Sequence, residues 1–118
     1  MYENQEIIEI SKDRIAEKVR ELFKEGYRLI QMNCTKEGEN FCLDYSFDKD
    51  RKFLNLRIML PVSDAKMQSV SSIYLPACLY ENEIHDLFGI DYSDLAIDFK
   101  GRFYRIDEKA PFNSEVAN

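Results

Sequence analysis

The chain reads as an α+β two-layer sandwich, a mainly antiparallel or mixed sheet with two helices packed on it in the order β-α-β-β-β-α, followed by an extended C-terminal tail. Three observations predict this. Two stretches carry apolar residues at helical spacing, the stretches between them alternate apolar and polar residues, and turn residues separate them. With 118 residues, 45% of them hydrophobic and 13% aromatic, the expectation is one domain over 1–118, with a core at 1–90 and a tail at 91–118.

Gln5 to Ile10 alternates loosely and predicts a short strand, and Ser11 with Asp13 then reads as a helix N-cap. From Lys12 to Glu25 the residues Ile15, Val19, Leu22 and Phe23 recur at i, i+4, i+7 and i+8, a clear amphipathic helix that Gly26 terminates. Tyr27 to Cys34 predicts a strand, and Thr35 to Glu39 supplies a Gly-containing hairpin loop. In the next strand Phe41, Leu43, Tyr45 and Phe47 alternate with Cys42, Asp44 and Ser46, so one face enters the core. Asp48 to Arg51 makes a second turn, and Phe53 to Leu60 follows with Leu54, Leu56, Ile58 and Leu60 on one face. Pro61 ends that strand because it cannot donate to a ladder. Val62 to Ser72 is polar and irregular, with a short extended piece expected at Val70 to Leu75, and Pro76 suits the first turn of a second helix.

That second helix, Leu79 to Ile90, is the centre of interest. Tyr80, Ile84, Leu87 and Phe88 form its apolar stripe, and Gly89 stands where a C-cap belongs. Glu81 and His85 fall on one flank, Glu83 and Asp86 on the other, and Asn82 opposite the stripe. A solvated acidic face is the plain reading of these charges. Yet the acids sit in the middle and end of the helix, where the macrodipole favours cations, so helix stability alone does not account for Asp86.

Composition removes several functions. A net charge of −6 gives no footprint for nucleic acid, whose phosphates need a basic patch. No apolar run approaches the roughly 18 residues of a membrane span, and the N-terminus carries no signal segment. A soluble, cytoplasmic chain is therefore expected, meeting a membrane only through partners. Cys34, Cys42 and Cys78 are odd in number and lack C-x-x-C spacing, which predicts buried reduced thiols.

The site residues allow two kinds of chemistry. Glu81 with His85 offers two metal ligands or an acid/base pair, a small stand-alone metal-dependent enzyme, although a protein zinc site needs three or four ligands. Alternatively the acids serve recognition, pairing with arginines of a partner or of the chain's own tail, where Arg102 and Arg105 stand beside Phe99, Phe103, Tyr104 and Phe112. The tail either docks on a partner or folds back on its own sheet.

Glu81-Asn-Glu-Ile-His-Asp-Leu-Phe-Gly89 resembles the signature Glu-Arg-Glu-x-x-Asp-x-Phe-Gly of the 30 kDa subunit of NADH:quinone oxidoreductase (respiratory complex I). Ser71-Ser-Ile-Tyr74 and Ala77 look like the segment leading into it. Asn82 stands in place of the usual Arg, and Ile97 to Arg105 replaces the His-Pro-containing segment of the respiratory subunits. With the short chain, this looks more like the corresponding small subunit of energy-converting [NiFe] hydrogenases of the Ech and CO-induced type. The resemblance implies a non-catalytic hydrophilic-arm subunit on the cytoplasmic face of a membrane. It would bind no cofactor, while the neighbouring large catalytic and iron–sulfur subunits carry a NiFe centre and iron–sulfur clusters. By the same resemblance Glu81, Glu83, Asp86, Phe88 and Gly89 position the helix end against partners, and Arg102, Tyr104 and Arg105 anchor the tail.

Overall fold

The computed structural model describes residues 4–96. In chain order they form β1 (Asn4–Glu9), a 3-10 turn (Lys12–Arg14), α1 (Ile15–Lys24), β2 (Arg28–Glu37), β3 (Asn40–Lys49), β4 (Lys52–Pro61), a second 3-10 turn (Val62–Asp64), β5 (Lys66–Gln68), α2 (Ala77–Phe88) and β6 (Asp91–Ser93). The first four strands make one sheet in the order β1-β4-β3-β2, with β1 parallel to β4 and the other pairings antiparallel. β5 and β6 pair with each other in parallel. The predicted architecture, two helices on a mixed sheet, is the one found.

The period-two pattern explains the sheet. Phe41, Leu43, Tyr45 and Phe47 of β3 stand opposite Leu60, Ile58, Leu56 and Leu54 of β4, so four apolar cross-strand pairs line one face. Ile15, Val19 and Leu22 of α1 and Ala77 and Ile84 of α2 close over that face in a single core. The opposite face is polar and held by its own pairs. Arg28 reaches Asp48 with two bonds of 2.7 Å, Arg57 reaches Asp44 at 2.9 and 3.2 Å, and Ser46 Oγ donates to Asn55 Oδ1 at 2.9 Å. Both arginines are bidentate, the geometry in which a guanidinium fixes a carboxylate best.

The hairpins are tighter than the composition suggests. Strand pairing runs to Glu37↔Asn40 and Lys49↔Lys52, leaving two-residue loops at Gly38-Glu39 and Asp50-Arg51. Asp50 (φ 47°) and Arg51 (φ 67°) are both left-handed, the combination that matches the twist of a two-residue hairpin. Thr35 to Glu37, Asp48 and Lys49, expected in turns, therefore belong to strands.

Other expectations need correction. Ser11 caps the 3-10 turn but its side chain makes no cap bond. Phe23 leaves the buried stripe of α1 at 54% exposure and meets the edge of Tyr74 instead. The extended piece expected at Val70 to Leu75 occurs earlier, as β5, and its partner β6 lies in the stretch read as tail. Ile90, fully buried, leads into it. Arg102, Tyr104 and Arg105 lie outside the described residues.

Candidate functional site

The helix singled out by the sequence is α2, and Gly89 closes it as expected, in the left-handed conformation (φ 80°) with its N–H donated to the His85 carbonyl. The apolar stripe is only partly where the spacing put it. Ile84 is buried, whereas Tyr80, Leu87 and Phe88 are half-buried and Leu79 is 50% exposed. Phe88 packs edge-on against Phe41 with ring centroids 5.8 Å apart. Glu81 (0% exposed), Asn82 and Asp86 lie on the buried side.

Glu81 forms the centre of this arrangement. It shares the core-facing arc with Ala77, four residues before it, and Ile84, three after it. Its carboxylate accepts the Ser69 hydroxyl at 2.6 Å on Oε1 and the Val70 N–H at 2.8 Å on Oε2. Ser69 Oγ in turn lies 2.7 Å from Ser71 Oγ and accepts the Ser71 N–H at 3.0 Å, and Ser71 Oγ accepts the Ala96 N–H at 2.8 Å. One carboxylate thus ties α2 to the turn after β5 and, through two serines, to the chain beyond β6.

Burial pushes the Glu81 carboxyl up to about 7, against the pull of the Ser69 and Val70 hydrogen bonds. Tyr45 of β3 and Tyr92 of β6 are close enough to feel its charge, and burial raises both phenols. The two hydroxyls meet each other in a contact that falls short of good hydrogen-bond geometry. Cys34 joins the same neighbourhood, its thiol pushed up by burial to about 12. Cys42 and Cys78 are buried free thiols and Cys34 is half-buried.

The predicted site residues therefore divide. Glu81, expected at a partner surface, faces inward and is bonded to Ser69 and Val70. His85 does not join it: its Nδ1 lies 2.9 Å from the Ile90 carbonyl and 3.8 Å from Asp91, and a carbonyl partner places the proton on Nδ1. Among the described residues no group of three or more His, Cys, Asp or Glu side chains is arranged to hold a metal ion. Asn82, expected on the outer face, is buried and donates Nδ2 to the Cys78 carbonyl at 2.7 Å. Glu83 stays half-exposed at the helix surface.

Sequence reasoning misses Ser69 and Ser71. The signal available is the position of Glu81 on the arc defined by Ala77 and Ile84, which requires buried donors somewhere in the chain. It also misses the exposure of Phe23, Leu75 and Leu79, all at least half-exposed at the end of α1 and the start of α2. Leu79 lies about 140° around the helix from Ile84, so its outward direction is readable once α2 is known to begin at Ala77.

Among the described residues no helix is long and apolar enough to cross a membrane. No curated protein matches the sequence. Among solved structures, a chain of the membrane-bound sulfane sulfur reductase, an archaeal respiratory membrane complex, superposes with a TM-score of 0.79 and 18% identity over 98% of this chain and 75% of that one. A trypsin-resistant fragment of Nqo5 gives a TM-score of 0.68 and 20% identity over 77% of this chain and 80% of that one. At these identities the two likenesses establish the fold. The sequence itself matches the respiratory-chain NADH dehydrogenase 30 kDa subunit family over residues 8–100, so all of α2 and the whole Glu81–Gly89 signature lie within the match, and the chain belongs to that family.

Proposed function

We propose that the chain is a non-catalytic hydrophilic-arm subunit of a membrane-associated, complex I-like oxidoreductase. In this reading the complex is an energy-converting [NiFe] hydrogenase, in which the chain docks against the large catalytic and iron–sulfur subunits from the cytoplasmic side. The NiFe centre and the clusters belong to those neighbours. The observation that carries the reading is the signature helix within the family match: α2 is locked from inside by Glu81 and capped by Gly89, while Glu83 remains at its surface. A helix anchored from inside that presents an acid with no ion pair among the described residues suits recognition of a partner's cations. The half-exposed Phe23, Leu75 and Leu79 add large apolar side chains of the kind that interfaces cover.

Charge reversal tests this directly. Glu83→Lys should leave the isolated chain folded, as judged by circular dichroism and its melting temperature, and abolish recovery of the assembled complex from membranes. Undiminished assembly by the variant would remove the helix end from the interface.

A second reading is favoured by the likeness to the sulfane sulfur reductase chain: the same docking role in a respiratory membrane complex that reduces sulfane sulfur. The 30 kDa subunit of an NADH:quinone oxidoreductase is the third member of this group of readings. Metal and flavin analysis of the intact complex separates the three. The stand-alone enzyme using Glu81 and His85 is supported less well, because Glu81 spends both oxygens on Ser69 and Val70 while His85 turns to Ile90.

A further inference from the structure

We propose that Glu81, Ser69 and Ser71 form a proton-operated latch on the chain where it leaves β6, the charge on Glu81 setting the direction of the two serine hydroxyls and so the hold on the Ala96 amide. Such a latch belongs to the chain itself, whichever complex the chain serves.

Counting donors and acceptors gives the mechanism. An ionised carboxylate can only accept, so Ser69 must give its proton to Glu81 Oε1. The oxygen of Ser69 then accepts from the Ser71 N–H and from the Ser71 hydroxyl, and the oxygen of Ser71 accepts the Ala96 N–H. Every donor points one way, from Ala96 towards the negative charge, and such a chain of bonds is mutually polarised. When Glu81 takes up one proton from solvent on Oε1, it donates to Ser69, Ser69 turns its proton to Ser71, and the Ser71 hydroxyl proton leaves the relay. Only an O–H bond on Glu81 has formed. Ala96 now donates to an oxygen that already accepts from Ser69 and no longer feels an anion through it.

The relay is sheltered from competing water, with Ser69 and Ser71 each 2% exposed and Glu81 0%. The groups that face Glu81 do not titrate with it. Tyr45 from β3 and Tyr92 from β6 feel its charge, Cys34 from β2 lies by the two tyrosines, and burial holds all three in their neutral forms; no charged side chain among the described residues contributes to its raised value. Glu83, His85 and Asp86 share its own helix. With its carboxyl near 7, both states of the relay are populated around neutrality.

Amide chemical shifts of the full chain between pH 5.5 and 8.5 test the proposal. The Val70 and Ala96 amides should move with one common midpoint. In Glu81→Gln neither should move, and in Ser71→Ala the Val70 amide should still titrate while Ala96 stays flat. An Ala96 amide that is flat in the unmodified chain, or that still titrates in Ser71→Ala, overturns the relay; a Val70 amide that does not titrate overturns the role of Glu81. Should Glu81→Gln fail to fold, the unmodified chain and Ser71→Ala decide the matter by themselves.

Discussion

Replacing Glu81 by Gln should change how stability depends on pH, and the size of the change follows from the structure. The carboxyl is fully buried, has no cation among its described neighbours, and is pushed from the ordinary 4.5 to about 7. A carboxyl that binds its proton more tightly in the fold than in the unfolded chain stabilises the fold fully below the unfolded value. That contribution drains away as pH rises from 4.5 to about 7 and stays lost above it. At about 1.36 kcal/mol per tenfold difference in proton affinity, the total is roughly 3 kcal/mol. Glutamine is nearly isosteric and cannot ionise. Its amide oxygen can accept the Val70 N–H and its NH₂ can donate to Ser69, whose hydroxyl then turns to Ser71, so the swap itself costs about 1 kcal/mol or less. Urea unfolding of both proteins across pH 4.5 to 8.5 reads the difference, which cancels the contributions of all other groups. The variant should gain roughly 2–3 kcal/mol on the parent between the two ends. A difference independent of pH, or one that grows in favour of the parent as pH rises, would refute the buried-carboxylate reasoning.

Three further outcomes are expected. Gly89→Ala should lower stability by about 1 kcal/mol in thermal or urea unfolding, since the C-cap requires φ 80° and a Cβ disfavours it. Tyr45→Phe should change stability by no more than about 1 kcal/mol in the same assay, despite complete burial, because its hydroxyl meets that of Tyr92 in a contact short of good hydrogen-bond geometry. Cys34, pushed from 9.0 to about 12, should carry roughly a thousandfold less thiolate than an ordinary cysteine at pH 8, and mass spectrometry should find it alkylated by iodoacetamide far more slowly than a free thiol.

What can be read from the sequence follows the range of the interactions. The sheet is legible because Phe41 to Phe47 and Leu54 to Leu60 keep a strict period of two, which survives only where one face is buried throughout. α1 is legible for the same reason, with Ile15, Val19 and Leu22 on its buried side, whereas α2 is legible chiefly by Gly89 at its end. Phe23 escapes because apolarity sets a preference for burial, and a residue at the margin of a stripe is buried only where another element covers it. β5 and β6 escape because each is three residues long and pairs with a strand more than twenty residues away, so neither has a local pattern of its own. The candidate helix is legible as a motif but its inside and outside are not. Glu81 has the composition of a surface residue, and only the approach of Ser69 and Val70, twelve and eleven residues upstream, supplies the donors that let a carboxylate enter the core. Asn82 follows it inward by bonding the carbonyl one turn back, a local solution that spacing alone does not reveal.

The assignment of the chain as a docking subunit is tested most directly by purifying the tagged chain from its native membranes in mild detergent, identifying what accompanies it, and counting metals on the product. The expected product is a stoichiometric complex containing a hydrogenase-like large subunit and an iron–sulfur subunit, with nickel and iron present. Iron without nickel would move the chain to the sulfur-reducing or quinone-reducing relatives. Recovery of the chain alone, with no partner held, would show that it is not a docking subunit.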